Sequence, residues 1–306
     1  MRLYCPPELI HEIIIVDNSA STSRSWQEEL LYHYGSLACF VRIVQAASIA
    51  VMPADVHGWY TQQVLKIKVS ETIRSDRYIV LDAKNHLIKP LNRGFLETPK
   101  GQPRINGKPY INHPMRDFLE RTVEYFGLDP QEHVKWFTRT HPPFTILTDE
   151  ACELVRHIEQ KEARPFASAF LDRKLSEFFL YSGFLVSKGT LRKIYDFTQE
   201  EEPQVWPGNA DEQGCAKAIQ KASQTESPFM TVHRRALANM DKNGRRLLAE
   251  FWYSRGLFAS RKDGIRFLRD PNRSYQNHEG RVVSWPVSRI ASHFSSYPQK
   301  AIAKIR

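Results

Sequence analysis

Apolar and polar positions alternate along the first eighty residues in a way that predicts strands and helices in turn. Ile13 to Val16 is a continuous β-branched run, the kind buried on both faces of a parallel sheet, and it stops at Asp17, Asn18 and Ser19. A helix is predicted over residues 25–34 and a strand over residues 39–44. Between Tyr60 and Ile73 the positions Tyr60, Val64 and Ile67, beside Leu65, Val69 and Ile73, form a broad helical stripe. Tyr78 to Leu81 is a second apolar strand ending in an acid, Asp82. The order β, α, β, α, β predicts an α/β sheet. In open sheets of that class the carboxyl ends of the strands face the ligand, and Asp17 and Asp82 both stand there. The alternative reading of each is a turn or cap residue.

Further along, residues 92–114 are rich in Gly, Pro, Asn and Lys and read as a long loop. Helices are predicted over residues 116–126 and 151–161. Leu175 to Val186 is apolar and aromatic, with Gly189 as its stop. The run from Asn209 to Glu212 has the form of a capping box, Asn209 being the cap and Glu212 reaching back. A last helix is predicted over residues 245–257, followed by irregular, basic chain. No repeat of solenoid period occurs. The expected division is a domain over residues 1–240 and a basic extension, helical or irregular, over residues 241–306.

Composition changes this picture in one respect. The 306 residues are 42% hydrophobic and 25% charged, which excludes a wholly disordered chain. The net charge is +9, but residues 231–306 hold 16 Lys and Arg against 5 Asp and Glu, a net +11, while the first 230 residues are at 27 against 29. The basic character therefore belongs to the tail, where it would attract phosphates or an anionic surface. Cys5, Cys39, Cys152 and Cys215 are widely spaced and form neither a zinc cage nor a disulfide framework by pattern. No run is long enough to span a bilayer, and the amino terminus, with Pro6 and Pro7, lacks the form of a secretory signal. A cytoplasmic location is the resulting expectation.

Four segments carry a resemblance. Gly58 to Lys66 (GWYTQQVLK), Val80 to Asn85 (VLDAKN), Leu175 to Gly183 (LSEFFLYSG) and Thr231 to Arg235 (TVHRR) resemble, in this order, a bacterial family of poorly characterised domains. That family is associated with surface-polysaccharide and capsule clusters and is similar to GT-A glycosyltransferases. The resemblance covers roughly residues 5–258. It implies a GT-A-like, Rossmann-type mixed sheet flanked by helices, and an activity that moves a sugar from a nucleotide-sugar donor to a glycan or lipid-linked acceptor, with peripheral contact at the inner membrane face. One departure concerns the start: such domains begin with a strand before the one placed at Ile13 to Val16, and here that strand is either missing or lies outside the chain.

Site expectations follow from the resemblance. Asp17 would contact the nucleoside, and Asp82 would stand at the donor diphosphate. The usual pattern there is Asp-x-Asp, whereas this chain has Asp82, Ala83, Lys84 and Asn85. Two readings stay open. Manganese or magnesium would be held by Asp82 and Asn85 with His233 as a further ligand, since such ions need hard oxygen donors. Alternatively, no metal is needed and Lys84 neutralises the departing phosphates itself. Trp59, Gln62, Gln63 and Lys66 are donor-side candidates, with Arg234 and Arg235 as phosphate clamps. Glycosyl transfer with inversion needs a carboxylate to take the acceptor's proton. Glu177, among Phe178, Phe179 and Tyr181, is the first candidate; Asp211 or Glu212 is the second, though an acid there also suits a helix start. His113 and His141 would line the acceptor cleft, or simply form turns. Two rival functions are a non-catalytic, transferase-like protein that binds an acidic glycan or a partner, and a nucleic-acid binder using the tail with Trp285, Phe294 and Tyr297. The second lacks any recognised nucleic-acid motif.

Overall fold

The computed structural model describes residues 1–18, 25–53 and 56–269. Ser19, the basic tail beyond residue 269 and its aromatics Trp285, Phe294 and Tyr297 lie outside the described residues. The chain is a mixed α/β protein in which helix predominates and the sheets are small, of two or three strands. It divides into two compact units that interleave along the sequence: one is made of Met1–Ile10, Leu81–Leu96 and residues 199–269, the other of His11–Val80 and Glu97–Thr198. The expected boundary at residue 240 is not a boundary between these units.

In the larger unit, Ile13–Asp17 and Val41–Gln45 pair in parallel, with Ile13 opposite Val41 and Asp17 opposite Gln45. Parallel neighbours need a crossover, supplied by the helix Ser25–Tyr34 and the turn Gly35–Phe40. Because this sheet has two strands, Ile14, Ile15 and Val16 are only half-buried rather than sealed on both faces. The third predicted strand, Arg77–Val80, does not extend it; it pairs antiparallel with Phe144–Leu147. The single β-α-β-α-β sheet read from the sequence is thus two separate ladders, since alternation of element types does not specify which strands pair.

The helices Gly58–Lys68, Thr148–Glu162, Phe166–Asp172 and Glu177–Ser187 enclose the main core, where Val64, Ile67, Leu154, Phe170, Phe178 and Leu180 are out of solvent. Glu177–Ser187 is apolar all round, and every residue from Glu177 to Leu185 is buried, as expected of a helix surrounded by protein. A hydrogen-bond relay fixes it to the neighbouring strand: Leu147 N–H donates to the Tyr181 hydroxyl at 3.0 Å, that hydroxyl meets Tyr195 at 2.9 Å, and Tyr195 donates to the Thr145 carbonyl at 2.8 Å. Past its end, Gly189 sits at φ +66°, the left-handed position that stops the helix. The predicted loop before residue 114 is partly ordered by pairing. Gly107–Lys108 runs antiparallel to Phe137–Thr138, and a side chain at Gly107 would come within 2.2 Å of the Trp136 ring.

In the smaller unit, Asn85–Leu87 pairs antiparallel with Phe229–Val232, which pairs in parallel with Gln204–Val205. The helices Glu212–Gln224 and Lys242–Ser254 pack through Cys215, Ala218, Ala222, Leu248 and Trp252. Asp211 and Asp241 cap them, accepting from Gly214 N–H at 2.8 Å and Gly244 N–H at 2.6 Å. The cap is therefore Asp211 and not Asn209. Asn209 instead takes the Trp206 N–H in the preceding turn, at 2.5 Å. Gly214 fits beneath this turn because an added Cβ would lie 2.1 Å from the Asn209 carbonyl. Among the described residues no helix is long and apolar enough to cross a membrane.

Candidate functional site

The segment Asp82 to Asn85 is a tight turn between Val80 and the strand Asn85–Leu87. Asn85 N–H donates to the Asp82 carbonyl at 2.9 Å, and the Asn85 side chain closes the turn by accepting from Asp82 N–H at 2.8 Å. Asparagine is suited to this local bonding. The far side of the amide donates to Thr231 Oγ1 at 2.8 Å, which fixes the turn against the strand Phe229–Val232. Lys84 Nζ lies 2.8 Å from the Asp82 carboxylate and 5.6 Å from the centre of the Trp206 ring. Trp206 in turn stacks on His233, with ring centres 5.0 Å apart. Fully buried Glu202 accepts from Thr231 at 3.2 Å and from Gln204 at 3.3 Å. Acid, lysine, indole and imidazole therefore form one continuous row.

His233 begins the helix Arg234–Asn239 and accepts from Arg235 N–H through Nδ1 at 3.1 Å. An accepting Nδ1 leaves the ring proton on Nε2. Burial pulls its pKa down to about 3, with Lys84 and Arg235 adding to the effect and Asp82 opposing it. The imidazole is thus neutral in a cationic neighbourhood, to which Arg234 also contributes. These residues do not fit a divalent ion as they stand. The Asp82 carboxylate is paired with an ammonium, the Asn85 oxygen accepts a backbone N–H, and the His233 lone pair is used as a cap. Among the described residues no group of three or more His, Cys, Asp and Glu side chains stands ready to hold a metal.

The other expected catalytic acid belongs to the larger unit. Glu177 is the first residue of its helix and is buried, with its carboxylate 3.3 Å from Lys66 Nζ. Lys66 also lies 5.5 Å from the centre of the Phe178 ring. Gln63 accepts from Glu177 N–H at 3.3 Å and donates to the Trp59 carbonyl at 3.4 Å. Two of the donor-side candidates, Gln63 and Lys66, therefore meet Glu177 from one helix, on which Gln63 also holds the Trp59 carbonyl and Gln62 is half-buried. Trp59 packs edge-on against Phe118 at 5.6 Å. His113 accepts from Met115 N–H at 3.1 Å and touches Tyr110 at 4.8 Å, in a turn. Asp17 is buried at its strand end, accepting from Gln45 at 2.9 Å. Asp211 is exposed and serves as the cap described above, and Glu212 accepts from Asn243 at 2.7 Å.

Residues 5–229 match one family model. The chain belongs to DUF6492, a family of unknown function. No curated protein matches the sequence. The matched stretch includes Lys66, Asp82, Lys84, Asn85 and Glu177, while His233, Arg234 and Arg235 lie just past its end.

Sequence reasoning missed Trp206, Gln204 and Glu202. Each is an unremarkable residue in the stretch Glu200 to Pro207, and only the pairing of Gln204–Val205 with Phe229–Val232 brings it to the Asp82 turn. The Lys66 to Glu177 pair was also unseen, because its members lie 111 residues apart. A signal was available for neither beyond a buried acid's need for a counter-charge.

Proposed function

We propose that this protein is a glycosyltransferase of GT-A-like construction, taking a sugar from a nucleotide-diphosphate donor and passing it to a glycan or lipid-linked acceptor in surface-polysaccharide synthesis. The single observation that carries the reading is the Asp82 turn, where Lys84 is held at 2.8 Å by one carboxylate with Arg234 and Arg235 in the neighbouring helix start. A diphosphate arriving there exchanges with Asp82 for the ammonium, forming charge-assisted bonds. The protein partners already held by Asp82, Asn85 and His233 favour donor binding without a metal: Lys84 and the arginines supply the positive charge that manganese or magnesium would otherwise bring.

In the transfer itself, the acceptor oxygen forms a bond to the sugar carbon as the bond from that carbon to the diphosphate breaks. The electron pair leaves with the diphosphate, and the acceptor proton goes to a carboxylate. Glu177 is the residue assigned that role, and Lys66 holds its counter-charge. Asp17 is assigned to the nucleoside, and the enzyme works in the cytoplasm at the inner membrane face.

The test is a thermal-shift titration with UDP, GDP, CDP and ADP, each with and without manganese. A ligand that binds only the folded state raises its stability. One nucleotide should raise the melting point without manganese, and Lys84→Gln should abolish the rise. A rise that needs manganese returns the metal reading, and no rise with any of the four removes the donor assignment. Glu177→Gln should keep nucleotide binding and lose transfer; full transfer by that variant rules Glu177 out as the base.

One observation favours a second reading, a transferase-like binding protein without catalysis: the Glu177 carboxylate is engaged by Lys66 inside the core, as a structural ion pair would be. Donor hydrolysis that disappears in Asp82→Ala would eliminate it.

A further inference from the structure

A second group of basic side chains lies in the larger unit. Arg139 is almost wholly buried, at 1% exposure. It donates through Nε to the His141 carbonyl at 2.8 Å and through one terminal nitrogen to His141 Nδ1 at 2.8 Å. A guanidinium only donates, so His141 Nδ1 accepts and that ring carries its proton on Nε2. His113 is in the same state, because its Nδ1 accepts from Met115 N–H at 3.1 Å.

Lys108 joins them through backbone pairing. Gly107–Lys108 is hydrogen-bonded to Phe137–Thr138, and Arg139 N–H donates to the Asn106 carbonyl at 3.1 Å. The Lys108 ammonium stands 5.9 Å from the centre of the Tyr110 ring, and His113 lies on that ring at 4.8 Å. Tyr110 is fixed by its hydroxyl, which donates to the Thr138 carbonyl at 2.7 Å, and by Phe179 at 5.1 Å, two residues beyond Glu177. Burial draws the His113 pKa down to about 4, and the neighbouring Lys108 and His141 push the same way.

We propose that Lys108, His113, Arg139 and His141 form a phosphate-binding cluster, and that the molecule receiving the sugar is bound through a phosphate group. A lipid phosphate and a soluble sugar phosphate present the same oxyanion. Lys108 and His113 stand on the Tyr110 ring, His141 acts electrostatically on His113, and Arg139 holds His141; an ammonium, a guanidinium and two imidazole N–H donors together match a phosphate's several acceptor oxygens. The word acceptor rests on the reading of Glu177 given above, while the phosphate site rests on the geometry of these four residues.

Inorganic phosphate is titrated by calorimetry into the full chain carrying Lys84→Gln, which weakens the Asp82 turn as a competing site, so that the substitutions at Lys108 and His113 report on the cluster. Binding is expected, and adding Lys108→Gln with His113→Gln should weaken it by about tenfold or more, the worth of one charge-assisted contact. Lys108→Gln alone, at a half-buried side chain, should show a smaller loss in the same direction and guards against a folding defect in the combined variant. No binding to the Lys84→Gln protein, or equal binding with and without the two added substitutions, overturns the proposal. Dodecyl phosphate distinguishes the sources: binding much tighter than inorganic phosphate and lost with the same substitutions supports a lipid phosphate, and equal binding lost with them supports a soluble one. Failure of the nucleotide titration with phosphate binding intact would sink the transferase reading and leave the cluster standing; the reverse result would sink the cluster alone.

Discussion

Two acid and lysine pairs, one in each compact unit, look alike as contacts and differ in almost everything that gives a contact its role. Asp82 and Lys84 are two residues apart in a turn, with nitrogen and oxygen 2.8 Å apart and the side chains 16% and 22% exposed. Glu177 and Lys66 are 111 residues apart on two helices, at 3.3 Å, and only 7% and 13% exposed. In the first, water reaches both partners and the backbone turn is held by Asn85 whether or not the ion pair forms. In the second, each charge has left water and depends on the other. A pair of the first kind is free to trade its carboxylate for a ligand at little cost to the fold; a pair of the second kind is part of the fold.

The comparison breaks most readily at Lys66. Lys66→Met leaves the Glu177 carboxylate buried opposite an apolar side chain, and the expected loss is about 3 to 5 kcal/mol in urea unfolding. Lys66→Met with Glu177→Leu, which removes both charges and keeps the volume apolar, should recover most of it. If the single and double variants are equally destabilised, the two side chains are not coupled, and Lys66 is not what holds the counter-charge of the Glu177 base.

The same contrast explains what could be read from the sequence. The Asp82 turn was legible because its chemistry is local: an apolar strand, an acid, a lysine and an asparagine within a few residues. The helix carrying Trp59, Gln63 and Lys66 was legible from its apolar stripe, and so was the buried helix headed by Glu177. Strand pairing was not. Nothing in the run Arg77 to Val80 distinguishes an antiparallel partner at Phe144–Leu147 from a parallel one at Val41–Gln45, since β-branched residues suit either. Trp206 and Glu202 were invisible for the same reason, their place being set by the ladder between Gln204–Val205 and Phe229–Val232. The Asn209 cap was misplaced by two residues because Asn209 and Asp211 are both competent caps. The choice fell to Gly214, the residue that can lie against the Asn209 carbonyl.

His233 sharpens the comparison at a smaller scale, since it belongs to the Asp82 neighbourhood, is half-buried, and yet has its protonation set chiefly by desolvation. Its pKa falls to about 3 in the folded protein, against about 6.5 in an unfolded chain. Between those values the unfolded chain binds a proton that the folded one does not, so stability is lost as the pH falls below about 6.5. The slope approaches ~1.4 kcal/mol per pH unit for one histidine, or about 2 kcal/mol between pH 6.5 and pH 5. His86, drawn to about 4 chiefly by burial, and His113, likewise at about 4, add to it in the same direction. His233→Gln should flatten the pH dependence of the urea midpoint by that one share. An unchanged slope would mean that His233 is open to water when folded, and that the row from Asp82 to His233 is looser than its distances.

The smallest expected effect falls on the pair assigned the largest role. Lys84→Met removes an ammonium from Asp82 and from the face of Trp206, and both groups retain water on one side, so the stability change should stay below about 1 kcal/mol. Nucleotide binding should nevertheless disappear with it. That combination, a silent unfolding curve with a lost ligand, is what separates a site from a strut. Asp82→Asn supplies the opposite sign: if the carboxylate merely holds Lys84 until a diphosphate displaces it, neutralising the acid should leave stability equally unmoved and strengthen binding of the bare diphosphate. If Asp82→Asn weakens that binding instead, the carboxylate acts on the ligand's side of the exchange, as a metal-bridging group would, and the lysine is not its replacement.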